Sequence, residues 1–389
     1  MRAPAFVVVL MFASVSVCRG QTPAVISYTA VDLSRTDRRF LSTNPVIAID
    51  ESSGCVFNRV RSLVITNKRS IAVANTGNNE VCLFSVNGRL LYRSGRGGSG
   101  PGEYRDMTAI HVIPGDSLLV VDNLLRRLSV LNPGGTFVRS MTIVPPVDRL
   151  GSITRVLVLR DGSLIVGYSE VTSMKPRADP VFFEQQLFRY DARGNLLGSV
   201  GRFTESEHFV QEVARQFGGV AYWDRAFGKR FVMAPFGSGF LGGDGAGPVL
   251  QQYDVAGRVT TLHRFPVQNR PVTQRDIEDY RRTALSGARP ERRVLVQQMV
   301  DRMPYPATMP VFNAVLSDGA TRVWVKQYMR STDREKTWVV LDSATRETAV
   351  FAAPRAFDLL AVSLNLACGV WRDELDIESV RCFDISRRT

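Results

Sequence analysis

A short turn motif recurs along this chain and constrains its fold more than any other feature. The motif is a hydrophobic residue, then Asp or another small polar residue, two variable residues and Gly. The polar side chain can cap the turn backbone and Gly supplies a positive φ, so each copy predicts a hairpin between two strands. Four copies are complete and the last two are degenerate, at residues 84–88, 131–135, 190–194, 253–257, 341–345 and 383–385.

The spacing of the copies indicates a repeat of whole sheets. The two shortest intervals between the polar positions, 47 and 42 residues, match the roughly 40–50 residues of a four-stranded propeller blade. Residues 107–113, 117–122, 126–132 and 136–142 alternate between apolar and polar side chains and are bounded by turns, which predicts one complete blade. Six copies of one turn therefore predict an all-β fold, a six-bladed β-propeller with four-stranded blades.

The two ends of the chain are predicted to share the last blade. The last unit ends after its third strand, near Phe383, while residues 25–33 read as a strand without a blade of its own. An N-terminal strand that closes the last blade would remove the exposed sheet edge of an open ring. We therefore expect one propeller domain over residues 21–389.

One segment, over about residues 271–301, departs from the β pattern between the fourth and fifth copies of the turn. Thr273 and Asp276 resemble a capping box, and Pro290 can begin a second helix. The apolar side chains of the two predicted helices are Ile277, Tyr280, Leu285, Leu295 and Met299. We expect a helical insertion between blades 4 and 5 that lies over one face of the ring near the channel mouth. The pattern leaves open whether it binds a partner or is only a lid.

The first twenty residues are typical of a secretory signal peptide, with Arg2, an apolar run and a small-residue exit that ends at Gly20. The run is too short for a membrane span, which takes about 20 apolar residues. We therefore expect an exported protein, periplasmic or extracellular, that is not an integral membrane protein. The net charge is +12, but the arginines are dispersed and no basic run is interleaved with aromatic residues, which indicates a solvated basic surface and no nucleic-acid partner. We also expect a monomer without a cofactor.

Four of the five cysteines lie beyond the signal peptide, in a compartment where disulfides persist. Cys368 and Cys382 flank a turn centred on Leu375 at equal distance, so they should face each other on adjacent antiparallel strands, within disulfide range. Cys55 and Cys82 are expected on the first and third strands of one blade, with another strand between them. We predict one disulfide, Cys368–Cys382, and two thiols that are free or depend on loop geometry.

The glycine-rich segment from Gly95 to Tyr104, which contains Gly-Pro-Gly-Glu before the aromatic residue, resembles the interblade loop of NHL-type six-bladed propellers. Residues 322–325 and 370–376 resemble exported bacterial six-bladed propellers of the NHL-like or TolB-like type. This resemblance covers essentially the whole mature chain and implies the fold, but it implies little chemistry, because the architecture hosts unrelated functions. A strand follows Pro101, so the glycines do not fit a phosphate-binding loop.

Candidate ligand-binding residues come from the predicted innermost strands, whose side chains can face the central channel. They are Arg59, His111, Arg155 and Asn313. Two converging guanidinium groups can hold carboxylate or phosphate oxygens, although each arginine could instead pair with an acid of a neighbouring blade. His208 and His263 are expected at the surface. No acidic set that would supply the six to eight oxygen ligands of calcium is evident, so we expect no metal site, and the sequence assigns no catalytic residue.

Two classes of function fit these features. The first is a non-enzymatic recognition scaffold whose interblade loops bind a protein, a peptide or a glycan. The second, implied by the resemblance, is a channel-centred hydrolase or lyase of the six-bladed lactonase-like type, with or without a metal. Acidic or amide side chains clustered at the channel mouth would favour the second.

Overall fold

The computed structural model describes residues 22–28, 38–40, 44–148, 150–170, 175, 179–215 and 218–385. The predicted signal peptide lies outside these residues. No helix in this part of the chain is long and apolar enough to cross a membrane.

Six sheets follow one another along the chain, each built mainly from consecutive strands. Three short strands come first, β1 (Ala24–Ser27), β2 (Arg38–Phe40) and β3 (Ile47–Ile49). Blade one consists of β4 (Val60–Ile65), β5 (Ile71–Asn75), β6 (Glu80–Phe84) and β7 (Leu90–Ser94). Blade two consists of β8 (Met107–Ile113), β9 (Ser117–Asp122), β10 (Arg127–Leu131) and β11 (Phe137–Thr142). Blade three consists of β12 (Leu150–Val158), β13 (Leu164–Glu170), β14 (Val181–Tyr190), β15 (Leu196–Glu212) and β16 (Val220–Asp224).

The second half of the chain forms three more blades and two helices. Blade four consists of β17 (Val232–Phe236), β18 (Gly239–Gly243), β19 (Val249–Tyr253) and β20 (Val259–Arg264). The helices α1 (Gln274–Ser286) and α2 (Arg293–Arg302) follow. Blade five consists of β21 (Phe312–Ser317), β22 (Arg322–Gln327), β23 (Glu335–Asp342) and β24 (Thr348–Pro354). Blade six consists of β25 (Phe357–Val362), β26 (Leu366–Arg372) and β27 (Glu378–Asp384).

The six first strands form the inner wall of a closed ring. Each contacts the first strand of the next blade, and β25 of blade six contacts β4 of blade one. Apolar side chains of adjacent blades share one core: Val73 of blade one and Val370 of blade six belong to the same cluster. The predicted six-bladed propeller is confirmed, and the strands predicted for blade two end within one residue of the observed strands.

The recurrent turn has the geometry that the sequence predicts. Oδ1 of Asp191 accepts hydrogen bonds from the backbone N–H groups of Arg193 and Asn195, at 2.8 and 2.9 Å. Gly194 has a φ of 90°. In the degenerate copy of blade five the turn closes one residue later, and Arg346 takes the positive φ, of 60°. A longer turn thus replaces the missing glycine.

The N-terminal segment docks on three blades in turn. β3 pairs antiparallel with β27, with Ile47 opposite Cys382, and so closes blade six. β1 pairs parallel with β20 at the outer edge of blade four, and β2 pairs parallel with β24 at the outer edge of blade five. A closing N-terminal strand is confirmed, but its predicted position at 25–33 is wrong. Residues 24–27 cover another blade, and residues 29–33 lie outside the described residues. β1 and β3 each protect a sheet edge, so the need to cover an edge does not distinguish which of them closes the last blade.

Blade three extends beyond the ring, and the helices pack on the extension. The end of β15 passes the last paired residue of β14 and continues by pairing with β16. We call residues 203–212 and 220–224 the blade-three projection. Both predicted helices are confirmed, and α1 begins with the predicted capping box of Thr273 and Asp276. Met299 and Val300 of α2 pack with Phe209 of the projection.

Both cysteine pairs form disulfides. Cys368 lies opposite Cys382 on β26 and β27, as predicted. Cys55 and Cys82 are bonded as well, with Cα atoms 6.6 Å apart, so the expectation of two thiols without a fixed partner is corrected. Cys55 lies in the segment that precedes β4, not on an inner strand, so no strand separates it from β6. The two disulfides indicate an oxidising environment.

Candidate functional site

The segments that link one blade to the next lie on one face of the ring, which we call the link face. Because strands alternate in direction within a blade, the start of each first strand and the end of each fourth strand share this face. The helical insertion belongs to it, since α1 and α2 lie between β20 and β21. The blade-three projection leaves the ring from the same face. The link face therefore concentrates the long connections, which are the usual carriers of binding residues.

The four channel residues proposed from the sequence lie on four different blades. Arg59, just before β4, and Asn313, on β21, have exposed side chains. His111 lies on β8 with its Nε2 atom buried and without a partner in the described chain, and burial lowers its pKa to about 4. Burial also lowers the pKa of Arg155 to about 10, and its guanidinium lies 5.9 Å from the ring centre of Phe231. None of the four lines the cavity that opens at the channel mouth.

That cavity has a volume of about 270 Å³ and opens on the link face, where the inner strands of blades one, five and six begin. We call it the mouth pocket. Its principal side chains are Val60 and Arg61 of blade one, Lys326 and Trp338 of blade five, and Asp358 and Arg372 of blade six. Lys326 and Trp338 lie opposite each other on β22 and β23, so one face of blade five forms a wall.

A network of ion pairs forms one side of the mouth pocket. The carboxylate of Asp358 accepts hydrogen bonds from Lys336 Nζ at 2.5 Å and from Arg372 Nη1 at 2.7 Å. Arg372 also binds Glu378 at 3.0 Å, and Glu378 accepts the backbone N–H of Val60 at 2.8 Å. Burial by itself raises the pKa of Asp358, but the bonds from Lys336 and Arg372 hold that pKa below its ordinary value. The positive charges of Lys336 and Arg372 thus balance the negative charges of Asp358 and Glu378.

Two further cations line the mouth pocket without a direct bond to this network. Neither Lys326 nor Arg61 forms an ion pair or a side-chain hydrogen bond with any residue that the structure describes. Burial lowers the pKa of Lys326 because the ammonium group is partly removed from water, and the nearby charge of Asp358 opposes this shift without cancelling it. The mouth pocket therefore carries surplus positive charge next to apolar walls, an arrangement that attracts an anion.

A second cavity, of about 320 Å³, lies on the other side of blade five, towards the helical insertion. Arg270 spans it and donates to both carboxylate oxygens of Asp333, at 3.2 and 3.0 Å. Arg334 and Glu335 line the same cavity. Its charges are thus compensated, which makes the mouth pocket the stronger candidate for a charged ligand.

The helical insertion is fixed to the ring on both sides. Arg225, next to the blade-three projection, donates to the carbonyl oxygen of Pro304 at 2.6 Å. Ser331 of blade five donates to Asp279 of α1 at 2.7 Å. Three arginines between the end of α1 and the first residue of α2 are exposed and have no ion-pair partner in the described chain: Arg289, Arg292 and Arg293. The outer surface of the insertion is therefore open and basic.

A serine, a histidine and an aspartate lie in a row on the blade-three projection. Ser206 Oγ is 2.8 Å from His208 Nε2, and His208 Nδ1 is 3.6 Å from Asp224 Oδ1. Burial lowers the pKa of His208, which favours the neutral imidazole that a general base requires. The order of atoms is that of a hydrolytic triad. However, Ser206 and His208 are only 5% and 7% exposed, and the ring of Phe183 stacks on His208.

The expectation that His208 and His263 are surface residues is wrong. His208 lies on β15 and is covered as described above. His263 is on an outer strand, as predicted, but it is only 1% exposed because β1 covers that strand. Local sequence patterns do not indicate this cover, because β1 and β20 are far apart in the chain.

Metal-ligand residue types form one cluster within the described residues, which consists of Cys55, Glu80 and Cys82. The two sulfur atoms are bonded to each other. Glu80 pairs with Arg93 at 2.8 Å. These three residues therefore serve the structure of blade one.

The glycine-rich loop between blades one and two is filled by its own side chains. Glu103 accepts the backbone N–H of Gly100 at 2.8 Å and Arg96 Nε at 2.9 Å, and Tyr104 is fully buried. A Cβ atom at Gly98 would collide with the Glu103 carboxylate. The glycines make room for this glutamate, so the loop is a structural link between blades.

The fold and its link face define the chain as a six-bladed β-propeller, and comparisons with known proteins agree. Residues 33–140 match the DUF5128 family model, which is described as a 6-bladed β-propeller. A protein from Bacteroides fragilis that is described as exported has 13% identity and a TM-score of 0.51, over 94% of this chain and 100% of that chain. A DUF4221 family member from Bacteroides vulgatus has 11% identity and a TM-score of 0.51, over 87% and 95% of the two chains.

A variant of virginiamycin B lyase from Staphylococcus aureus is more distant, with 9% identity and a TM-score of 0.39 over 85% of this chain and 97% of that chain. No curated protein matches the sequence. The chain is thus similar to bacterial six-bladed propellers, as its resemblance to them implied, and at these identities the similarity concerns the fold alone.

Proposed function

We propose that this protein is an exported recognition scaffold that binds a protein, a peptide or a glycan on its link face. The observation that carries the proposal is the surplus positive charge on this face, at the mouth pocket and on the helical insertion, held on a rigid disulfide-bonded ring. Residues 1–20 are the signal peptide in this proposal. The two disulfides and the similarity to a protein described as exported support export.

The partner of such a face carries acidic groups. Exposed arginines without carboxylate partners raise the rate of association with an acidic surface, and this effect weakens as salt screens the charges. The insertion presents three such arginines between two helices that are already docked, so binding does not have to order the segment that carries them. The remaining link segments surround the channel mouth and add specificity.

A charge-reversal experiment tests this function without removing the helices, whose apolar sides contribute to the core. The insertion variant combines Arg289→Glu, Arg292→Glu and Arg293→Glu. The control variant combines Arg160→Glu, Arg193→Glu and Arg346→Glu, which lie in turns on the opposite face. We expect both variants to fold. Quantitative capture of partners from an envelope extract should fall about tenfold or more for the insertion variant only. Equal capture by wild type and insertion variant would contradict the proposal.

The row of Ser206, His208 and Asp224 supports a second candidate function, a hydrolase that acts through a serine nucleophile. It ranks below the scaffold, because Ser206 and His208 are buried and His208 is capped by Phe183. Labelling with a fluorophosphonate probe tests it. A hydrolase requires labelling of the wild type that Ser206→Ala abolishes, and an unlabelled wild type excludes the serine mechanism.

A further inference from the structure

The wall of the mouth pocket formed by blade five combines a lysine with apolar groups. Lys326 follows Trp324 by two residues on β22, so both side chains point towards blade six. A lysine at a position of this kind is costly without a direct ion pair, and the charge of Asp358 offsets only part of that cost for Lys326. Beside it, Trp338 is 2% exposed and its indole N–H has no acceptor in the described part of the chain. The wall therefore presents two hydrogen-bond donors, the Lys326 ammonium group and the Trp338 indole N–H, that have no acceptor among the described residues.

We propose that the mouth pocket is a binding site for a carboxylate carried on a short apolar stem. A carboxylate has two oxygens and accepts several hydrogen bonds. It can therefore accept one charge-assisted hydrogen bond from Lys326 and another from Arg61. The stem lies against Val60, Trp338 and Leu359, which line the same cavity. The volume of about 270 Å³ is slightly below the usual range for drug-sized ligands and fits a small group.

The walls of the site favour a carboxylate on an apolar stem over inorganic phosphate. The side chains of Val60, Trp338 and Leu359 line the cavity beside the two cations. An apolar stem gains free energy by covering these side chains, whereas inorganic phosphate has no apolar surface to bury against them. The carboxylate can belong to a small acid or to the C-terminus of a peptide. Only the biological role of this site rests on the proposed recognition function.

Titration calorimetry on the mature protein tests the site with hexanoate, with hexanamide as its neutral counterpart and with inorganic phosphate. Two peptides that end in leucine, one with a free carboxylate and one with an amide, separate the two sources. We expect hexanoate to bind, and hexanamide and phosphate to bind at least about tenfold more weakly. A preference for the free over the amidated peptide assigns the site to C-termini, and binding of hexanoate without either peptide assigns it to small acids.

Substitutions locate the site. Lys326→Met and Arg61→Gln should each weaken hexanoate at least about tenfold, whereas Arg59→Gln, an exposed arginine just before β4 that does not line the cavity, should leave it unchanged. An unaltered melting temperature of Lys326→Met would show that lost binding is not unfolding. No heat with hexanoate, equal binding of hexanamide, tighter binding of phosphate, or unchanged binding by Lys326→Met would each overturn the proposal. The insertion variant leaves the residues of the mouth pocket unchanged. Its partner capture therefore tests the recognition function independently of carboxylate binding.

Discussion

The hydroxyl group of Tyr28 lies 2.9 Å from Nδ1 of His263 and ties the N-terminal strand to the outer edge of blade four. The other ring nitrogen, Nε2, is 3.0 Å from the side-chain oxygen of Gln252. Because burial lowers the pKa of His263 to about 4, the ring is neutral at pH 7. In the tautomer that fits both contacts, Nε2–H donates to Gln252 and Nδ1 accepts the tyrosine hydroxyl.

Tyr28→Phe should therefore destabilise the protein by about 1–2 kcal/mol, because it leaves a buried acceptor on His263 unsatisfied. Tyr222→Phe is the matched control, since Tyr222 is 52% exposed. Urea denaturation measures both free energies of unfolding. Equal values for the two variants would mean that the contact does not hold β1 on blade four.

The stability of the protein should fall as the pH decreases from about 6.5 to 4. The folded protein keeps His111 and His263 neutral down to about pH 4, whereas the unfolded chain binds protons on them near pH 6.5. The unfolded state thus binds more protons in this window, so acidification favours unfolding. Each histidine contributes up to about 1.4 kcal/mol per pH unit.

His263→Gln isolates the contribution of one ring. The slope of unfolding free energy against pH between 4 and 6.5 should decrease by up to about 1.4 kcal/mol per unit relative to wild type. Carboxylates titrate equally in both proteins, so the difference reports His263. A slope that the substitution leaves unchanged would contradict the neutral buried ring.

Closure of blade six by β3 predicts a large effect at Ile49, which is 1% exposed and packs in the core shared by blades six and one. Ile49→Ala should reduce the free energy of unfolding by about 2–4 kcal/mol. Val46→Ala, at a side chain that is 57% exposed, should change it by less than about 0.5 kcal/mol. If both variants melt like wild type, β3 does not close the ring.

The two disulfides predict that the unreduced protein, produced without residues 1–20, contains no free thiol. Thiol titration in denaturant should give zero, and peptide mapping should recover Cys55–Cys82 and Cys368–Cys382. Replacing Cys55 and Cys82 together by alanine removes a link across 27 residues and should cost about 3 kcal/mol. Alkylation of Cys55 in the unreduced protein would refute this pairing.

The sequence predicts those parts of the fold whose cause is local. Asp191 and Gly194 set a turn within five residues, and Thr273 with Asp276 sets the start of α1 within four. The pairing of Cys368 with Cys382 depends only on one hairpin. Such features need no knowledge of distant strands, so they follow from spacing and residue type.

The mouth pocket could not be predicted in this way, because its charged residues come from three blades. Arg61, Lys326 and Asp358 meet only after the ring closes, and no motif connects them. One local feature of the sequence points to the pocket. Lys326 lies two residues after the buried Trp324 and therefore on the same face of β22, which is an unusual position for a lysine. The disulfide between Cys55 and Cys82 could not be predicted for a related reason. Cys55 lies in a loop, and the periodicity of strands does not determine the path of a loop.

The docking of β1, β2 and β3 on blades four, five and six has a consequence for the order of folding. These strands are the first part of the described chain to be synthesised, yet their partners belong to the last half, and the contact of Tyr28 with His263 spans 235 residues. A chain made from its N-terminus can form the pairs of β1, β2 and β3 only as blades four, five and six are completed in turn. Until each strand docks, that strand and the blade edge that it covers remain unpaired templates for other chains, so the nascent protein is exposed to aggregation while its second half is being made.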